Sequence, residues 1–185
     1  MPLIFSKSEI EDVIIIETGS YEDKRGFFKE IYHVDKYREL QETFVQDNHS
    51  HSKKGVLRGL HYQLKNPQAK LISVISGEIF DVAVDIRIGS PTFGKWVGEV
   101  LSADNNKQLF IPIGFAHGFC VLSDYADVMY KCSELYSSDD EYGLIWSDSD
   151  ILIDWPLSQP MVSNKDSSAP ELKSISEELL PEYNK

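Results

Sequence analysis

Short runs of alternating apolar and polar residues, rather than long helical stretches, follow one another along the chain. The runs Phe44 to Ser50 and Val56 to Gln63 flank a loop with two lysines, and this alternation is typical of half-buried strands. Ser76-Gly77 separates two further runs and predicts a hairpin. Many short strands with Gly, Pro and Asp turns indicate an all-β fold, an antiparallel sandwich or a closed barrel. The further predicted strands are 12–18, 27–32, 71–75, 78–87, 96–101, 108–111, 117–121, 128–135 and 151–156.

Helical signals are few. Residues 34–42 predict a short polar helix at best. The acidic stretch from Pro170 onwards carries apolar residues at 172, 175, 179 and 180, and it predicts a C-terminal helix. The chain of 185 residues has no internal repeat and no linker, so we expect one domain over residues 1–185.

The composition narrows the class of function. A net charge of −12 argues against binding to nucleic acid or to an anionic membrane, and no apolar run is long enough to span a bilayer. The N-terminus lacks the pattern of a signal peptide, and Cys120 and Cys132 lack CxxC spacing, so we expect a cytoplasmic protein with reduced thiols. Because the net charge repels an anionic ligand, a site for such a ligand would need Arg and Lys residues close by to attract it.

Residues 45–63 concentrate the polar groups that suggest a site. They hold three of the five histidines, and strand periodicity places Gln46 and Asn48 on one face. On the second run His61 lies on the opposite face from Arg58, but a bulge at Gly59 would shift the phase and turn both toward one cavity. Because buried polar groups without partners are costly, this strand pair predicts a binding or catalytic site.

Histidine chemistry leaves two readings open. His49, His51 and His61 would suit a three-imidazole metal site, but no Glu follows nearby, and solvated loop histidines are the preferred interpretation of the first two. His61 is either a core histidine bonded to backbone or a general base whose tautomer a carboxylate fixes. Four residues remain candidates for that carboxylate: Asp47, Asp81, Asp85 and Asp166.

Other candidate residues also have plain structural explanations. Lys70 is either a solvated strand end or the cation that stabilises an oxyanion, a contribution of about 3 kcal/mol. Tyr130 is either a core aromatic or a phenol acid. Arg25 is either a turn charge or, with Arg58, a fork for a diphosphate. The remaining aromatics fill core or stack on a base, and they are Phe27, Phe28 and Tyr136.

Six motifs follow one another along the chain: Asp23-x-Arg25-Gly26-Phe27-Phe28-x-Glu30, Phe44-Val45-Gln46-Asp47-Asn48-His49-Ser50, Gly55-Val56-Leu57-Arg58-Gly59-Leu60-His61-Tyr62-Gln63, Asp81-Val82-Ala83-Val84-Asp85-Ile86-Arg87, Gly114-Phe115-Ala116-His117-Gly118-Phe119 and Tyr130-Lys131-Cys132. In this order and spacing they resemble the dTDP-4-dehydrorhamnose 3,5-epimerase family, and the likeness runs from about Phe5 to about Leu172. The resemblance implies a cupin-like jelly roll without a metal or other cofactor, active as a homodimer in which an early strand crosses to the neighbouring subunit.

The resemblance also implies residue roles. His61 resembles the base that removes a proton beside the C4 ketone, and Asp166 resembles the carboxylate that orients it. Tyr130 resembles the acid on the opposite face, and Lys70 the group that stabilises the enolate. Arg25 and Arg58 resemble diphosphate ligands, and Tyr136 the partner of thymine. The further substrate contacts implied are Phe27, Glu30, Gln46, Asn48, His117, Glu141 and Lys165.

The resemblance implies the epimerisation of dTDP-4-dehydro-6-deoxy-D-glucose at C3 and C5, which is the reaction of an isomerase. This reaction belongs to the biosynthesis of dTDP-L-rhamnose and thereby to that of cell-surface polysaccharides. Inversion beside a ketone needs only a base, an acid and a cation near the enolate. Three alternatives remain: an epimerase acting at C3 or C5 alone, a metal-dependent cupin enzyme, and a non-catalytic module that binds sugar nucleotides.

Overall fold

The computed structural model describes residues 3–183, and thirteen antiparallel strands dominate it. One α-helix, α1 (Asn164–Ser167), and four 3-10 helices (Arg38–Leu40, Ser138–Asp140, Leu172–Ser174 and Glu177–Leu179) complete the described elements. The strands are β1 (Leu3–Lys7), β2 (Ile14–Thr18), β3 (Tyr21–Asp23), β4 (Gly26–Phe28), β5 (Gln46–Lys53), β6 (Leu57–Gln63), β7 (Lys70–Ser76), β8 (Glu78–Asp85), β9 (Trp96–Ser102), β10 (Lys107–Ile111), β11 (Phe115–Val121), β12 (Tyr125–Cys132) and β13 (Glu141–Gly143).

Two sheets pack against each other. The six-stranded sheet has the order β1-β2-β10-β7-β12-β5, and the five-stranded sheet has the order β13-β6-β11-β8-β9. The eight strands β5 to β12 pair from the outside inward, β5 with β12, β6 with β11, β7 with β10 and β8 with β9. This nesting is the double Greek key of a jelly roll. The structure therefore confirms the predicted all-β, cupin-like class.

The predicted hairpin at Ser76-Gly77 is wrong. β7 lies in the six-stranded sheet and β8 in the five-stranded sheet, so the chain crosses between sheets at this point. Gly77 has a φ of +79°, and a Cβ there would collide with the backbone of Tyr125, so the glycine marks a tight crossing instead of a hairpin turn. The strands β5 and β6, which we expected to pair, likewise lie in opposite sheets.

Other predicted boundaries also change. The strand expected at 27–32 ends at Phe28, residues 34–42 contain only the 3-10 helix Arg38–Leu40, and residues 151–156 form no strand. Ile151, Ile153 and Trp155 pack on a hydrophobic cluster of the five-stranded sheet without joining it, which explains their apolar pattern. β1, β3 and β13 had no strand prediction.

The C-terminal segment forms two separate 3-10 helices instead of the continuous helix that its leucines suggested. The Tyr62 hydroxyl donates to the carbonyl of Leu179 at 2.9 Å, and Ile88 pairs with the chain near Glu182. These contacts hold the segment against the cluster that contains Leu172 and Leu180. Packing on a sheet, rather than helical periodicity, therefore sets the spacing of its apolar residues.

The main core lies between the two sheets and is aliphatic, with Ile72, Val74 and Leu109 from one sheet and Ile79 and Ala83 from the other. Toward one end of the sandwich, polar and ionisable side chains replace these aliphatic residues. Burying such groups is costly unless they are paired or serve a ligand, so this end of the jelly roll is the candidate site.

Candidate active site

A cavity of about 530 Å³ opens between the two sheets where the aliphatic core ends. It brings together nine of the fourteen site residues that the sequence predicted. They are Arg58, His61, Lys70, His117, Tyr130, Tyr136, Glu141, Lys165 and Asp166.

A bulge in β6 explains how Arg58 and His61 reach the same cavity. Along β11, His117 pairs with His61 but Phe119 pairs with Arg58, so one extra residue is inserted in β6. Gly59 lies within the bulge at a φ of +117°, and a Cβ on it would lie 2.6 Å from the Cα of Gly118. The predicted phase shift is thus confirmed, and it depends on a close approach of two backbones.

His61 is held by Asp166, with 2.7 Å between Nε2 and Oδ1. Asp166 lies on α1, whose N-cap Ser163 accepts the Asp166 N–H through Oγ at 3.0 Å. Burial raises the pKa of Asp166, but the hydrogen bonds from His61, from the Gly59 N–H and from Ser163 together bring the pKa below its ordinary value. The ionised carboxylate therefore accepts the Nε2 proton, and Nδ1 remains to take a proton from a substrate.

The other candidate carboxylates have different partners. Asp47 pairs with Lys131, Asp85 pairs with Arg87, and Asp81 pairs with His117. The structure thereby selects Asp166 among the four candidates as the partner of His61.

Tyr130 and Lys70 come from the six-stranded sheet, on the side of the cavity opposite to His61. Burial raises the pKa of the Tyr130 phenol, with the nearby Cys132 adding to the effect, so the group stays protonated and able to donate. Burial lowers the pKa of Lys70, and the neighbouring Cys132, Asp81 and Glu141 offset only part of this shift.

Polar side chains at the cavity mouth form a connected group around Glu141. Its Oε2 accepts hydrogen bonds from the Tyr136 hydroxyl at 2.9 Å and from the Lys165 ammonium, while its Oε1 lies 3.9 Å from His61 Nδ1. Arg58 is exposed, and its Nε donates to Ser52 Oγ at 2.9 Å. The mouth therefore presents both cations and a flat aromatic ring to a ligand.

Five predicted site residues do not line this cavity. Arg25 and Phe27 lie on the exposed β3–β4 hairpin, where Arg25 pairs with Asp23, and Glu30 pairs with Lys36. Gln46 and Asn48 lie beside the cavity and bond to each other at 2.9 Å.

Gln46 and Asn48 form hydrogen bonds with residues in and next to the cavity wall. Gln46 Oε1 accepts the backbone N–H of Tyr136 at 2.9 Å, and the Asn48 amide donates to Cys132 Sγ at 3.5 Å. Within a single chain, these two amides hold lining elements in place.

The three-imidazole metal alternative is wrong. His49 and His51 lie on the outer face of β5, where both rings bond to Asp127 Oδ1 at 2.9 Å, whereas His61 lines the cavity. No group of three His, Cys, Asp or Glu side chains suited to a metal occurs within residues 3–183. Every helix in the same range is too short or too polar to cross a membrane.

Comparison with known proteins agrees with the geometry. The family model of dTDP-4-dehydrorhamnose 3,5-epimerase matches residues 7–174. The chain belongs to this epimerase family. It is therefore an isomerase-class enzyme, and the family resemblance that its motifs suggested is confirmed.

Similar epimerases cover almost the whole chain. The dTDP-4-dehydrorhamnose 3,5-epimerase of Shigella flexneri is 56% identical over 164 residues, which are 86% of this chain and 91% of that protein. The dTDP-6-deoxy-D-glucose-3,5-epimerase of Legionella pneumophila, solved in complex with dTDP-4-keto-L-rhamnose, is 50% identical with a TM-score of 0.97 and full coverage of both chains. A 3′-monoepimerase from Streptomyces bikiniensis, solved with dTDP-quinovose, is 34% identical with a TM-score of 0.90, over 96% of this chain and 92% of that one.

Sequence reasoning missed part of the lining of the epimerase cavity. A segment before α1 contributes to the wall, because the Leu57 N–H donates to the Met161 carbonyl at 2.9 Å. Ser163-x-x-Asp166 has the spacing of a helix N-cap signature, which would have placed a helix start at this point. The other missed lining residues carry no such signal, and they are Ser50, Val56, Leu57, Phe119, Met161 and Val162.

Proposed function

We propose that this epimerase inverts both C3 and C5 of dTDP-4-dehydro-6-deoxy-D-glucose and gives dTDP-4-dehydro-L-rhamnose, in the biosynthesis of dTDP-L-rhamnose. The observation that supports this most is the arrangement of one cavity. An imidazole–carboxylate pair, His61 with Asp166, lines one side, and a phenol and an amine, Tyr130 and Lys70, line the other.

The reaction proceeds by proton transfer at each carbon beside the C4 ketone. His61 Nδ1 takes the proton from the carbon, the electron pair moves onto the ketone oxygen, and the Lys70 ammonium stabilises the resulting enolate. Tyr130 then donates a proton to the opposite face, the ketone re-forms, and solvent restores both side chains. The acid and the base each raise the reaction rate by about a hundred- to ten-thousand-fold, and oxyanion stabilisation lowers the free energy of the transition state by about 3 kcal/mol.

Substrate binding uses the cations and the ring at the mouth. Arg58 holds the diphosphate, because a guanidinium forms charge-assisted bonds with phosphate oxygens. Tyr136 is 53% exposed and stacks on thymine. His117, Glu141 and Lys165 contact the sugar and its linkage. These local groups overcome the unfavourable net charge of −12.

The active form is a homodimer that exchanges the β3–β4 hairpin. All six residues of these strands are exposed, and the aromatic residues Tyr21, Phe27 and Phe28 are 63%, 63% and 70% exposed. A two-stranded hairpin with a solvated aromatic surface is marginal alone and typical of an interaction site. Insertion into a second copy brings Arg25, Phe27 and Glu30 to that copy's cavity. A single cupin-like domain over residues 1–185 is then the exchanging unit.

Mixing of two inactive variants tests this exchange. Arg25→Ala removes a hairpin residue, and His61→Asn removes the base of the cavity. If the hairpin serves the neighbouring site, mixed dimers contain one complete site, and activity returns to at most about a quarter of the wild-type value. Activity that stays at the level of the separate variants would contradict the exchange.

We also propose a cytoplasmic location, which the two free, buried cysteines support.

The products decide between double and single epimerisation. Identity reaches 56% with a 3,5-epimerase, against 38% with a 3-epimerase, and this difference supports inversion at both carbons. Incubation of the enzyme with dTDP-4-dehydro-6-deoxy-D-glucose, followed by NMR of the sugar ring, should show inverted configurations at C3 and C5. A product inverted at only one carbon would make the chain a monoepimerase, and unchanged substrate would contradict the proposed substrate.

A further inference from the structure

A second imidazole–carboxylate pair lies beside the His61–Asp166 pair. His117 Nε2 is 2.7 Å from Asp81 Oδ1, and the two side chains are only 7% and 0% exposed. On the five-stranded sheet, His117 pairs directly with His61 of β6 on one side, while Asp81 lies on β8 on the other side. His117 lines the cavity, whereas Asp81 lies behind it.

The Asp81 carboxylate is only half satisfied. Its Oδ2 is buried and has no hydrogen-bond partner among the residues that the structure describes. Because an unpartnered oxygen on a fully buried carboxylate is costly, its retention calls for a functional explanation. The oxygen of an amide or a hydroxyl could also accept the single bond from His117, but it would bring no negative charge to the site.

Lys70 provides that explanation. In the described part of the chain its ammonium forms no ion pair, and it lines the same cavity as His117, the hydrogen-bond partner of Asp81. Burial lowers the pKa of Lys70, and three acidic groups oppose this shift: Cys132, which pairs with Lys70 across β12 and β7, Asp81 on β8 and Glu141 on β13. Glu141 already accepts bonds from Tyr136 and Lys165, and a buried thiol is neutral at pH 7, so Asp81 is the remaining negative charge.

We propose that Asp81 is a positioning residue of the epimerisation: it fixes His117 with a protonated Nε2 and an unprotonated Nδ1, and it keeps Lys70 charged. This inference rests on the proposed function. The unprotonated Nδ1 of His117 accepts a hydrogen bond from a sugar hydroxyl. The charged Lys70 is then ready to stabilise the enolate.

The charges around His117 support this assignment. Burial lowers the pKa of His117, Asp81 opposes this shift through its charge and its hydrogen bond, and the positive charge of Lys70 lowers the pKa further. One carboxylate, one ammonium and a neutral imidazole together carry no net charge. Removal of the carboxylate would leave the ammonium without compensation in a desolvated site, so Lys70 would lose its proton at a lower pH.

The substitution Asp81→Asn tests the charge, because an asparagine keeps the shape and can still accept the Nε2 proton. We expect the alkaline limb of the kcat–pH profile to move down by about one pH unit, because the loss of an opposite charge lowers the pKa of an ammonium by that order. Asp127→Asn removes a carboxylate from the outer face of the six-stranded sheet and should leave the limb in place. An unmoved limb in Asp81→Asn, with activity lowered equally at every pH, would reduce Asp81 to a structural role.

A spectroscopic measurement separates this inference from the proposed function and needs no turnover. In the wild-type enzyme, ¹⁵N NMR of labelled histidine should show His117 as neutral across the neutral pH range, with the proton on Nε2; His117→Asn assigns the signal. The ε-carbon resonance of Lys70, assigned with Lys70→Gln, should titrate at a lower pH in Asp81→Asn. A charged His117, a proton on Nδ1 or an unchanged Lys70 titration would overturn the inference, even in an enzyme that is active.

Discussion

Asp166 holds the imidazole of His61 from 105 positions away in the chain, with 2.7 Å between Oδ1 and Nε2. The two residues meet because the segment after the last strand returns over β6 and begins α1 beside the Gly59 bulge. The N-cap of this short helix aims the carboxylate at the ring. The imidazole–carboxylate pair is therefore built by tertiary structure and not by a local motif.

Asp166→Asn should lower kcat by about a hundred- to ten-thousand-fold with little change in KM, because an amide neither fixes the tautomer of His61 nor stabilises its charged form. Ser163→Ala removes only the cap that positions Asp166 and should cause a smaller loss of kcat. Steady-state kinetics of the two variants measures both effects. Equal activity of Asp166→Asn and wild type would show that the Asp166 carboxylate has no role in catalysis.

Arg58→Ala should weaken the binding of dTDP by roughly 10- to 100-fold, because a charge-assisted hydrogen bond contributes about 1.5–3 kcal/mol. Isothermal titration calorimetry with dTDP measures this loss. Arg38→Ala removes another exposed arginine, which pairs with Asp35, and serves as the matched control. If both variants bind dTDP as the wild type does, the diphosphate lies elsewhere.

Gly59→Ala should destabilise the protein and abolish activity, because the new Cβ would lie 2.6 Å from the Cα of Gly118 and 2.7 Å from the carbonyl oxygen of His117. Gly89 also has a positive φ of +83°, but a Cβ there meets nothing within 4 Å. Gly89→Ala should therefore cost only the backbone penalty of about 1–2 kcal/mol and retain activity. Chemical denaturation followed by activity assays compares the two, and similar losses would show that the close approach at the bulge is unimportant.

Asp85→Asn should lower the free energy of unfolding by about 3 kcal/mol at neutral pH, because it leaves buried Arg87 without its main partner. Burial raises the pKa of Asp85, but bonds from Arg87, Ser90 and Thr92 bring it below the ordinary value. The stabilisation is thus complete above the unfolded-state pKa of about 3.9 and is lost as the pH falls further.

Denaturation curves at several pH values test this dependence on Asp85. The difference between wild type and Asp85→Asn should shrink below about pH 4, where the carboxylate of the unfolded chain becomes protonated. Asp35→Asn breaks an exposed pair with Arg38 and should leave the curves nearly unchanged. A difference that stays constant down to the acid transition would mean that Asp85 acts through packing alone.

The positions of most strands were predictable because alternation is a local signal. Their pairing was not, since the same turn residues close a hairpin or carry the chain to the other sheet. Ser76-Gly77 shows this, as its glycine has the positive φ of a turn but separates strands of different sheets. The C-terminal leucines were misread for a related reason, because their spacing follows the sheet beneath them.

The site was predictable where its residues lie close together in the sequence. Arg58, Gly59 and His61 indicated a bulge and a shared cavity from their pattern alone. The partner of His61 was not predictable from the residues, because four carboxylates were chemically equivalent until the fold paired each of them. Only the resemblance to the epimerase family pointed to Asp166.

Deuterium exchange tests the central claim most directly, that His61 removes and Tyr130 returns the protons at C3 and C5. The substrate is incubated in D₂O with wild type, His61→Asn and Tyr130→Phe, and deuterium at each carbon is counted by mass spectrometry and NMR. We predict label at both carbons with wild type, none with His61→Asn, and label in unconverted substrate with Tyr130→Phe, because that variant keeps its base but lacks its acid. Label incorporated by His61→Asn at the wild-type rate would contradict the account.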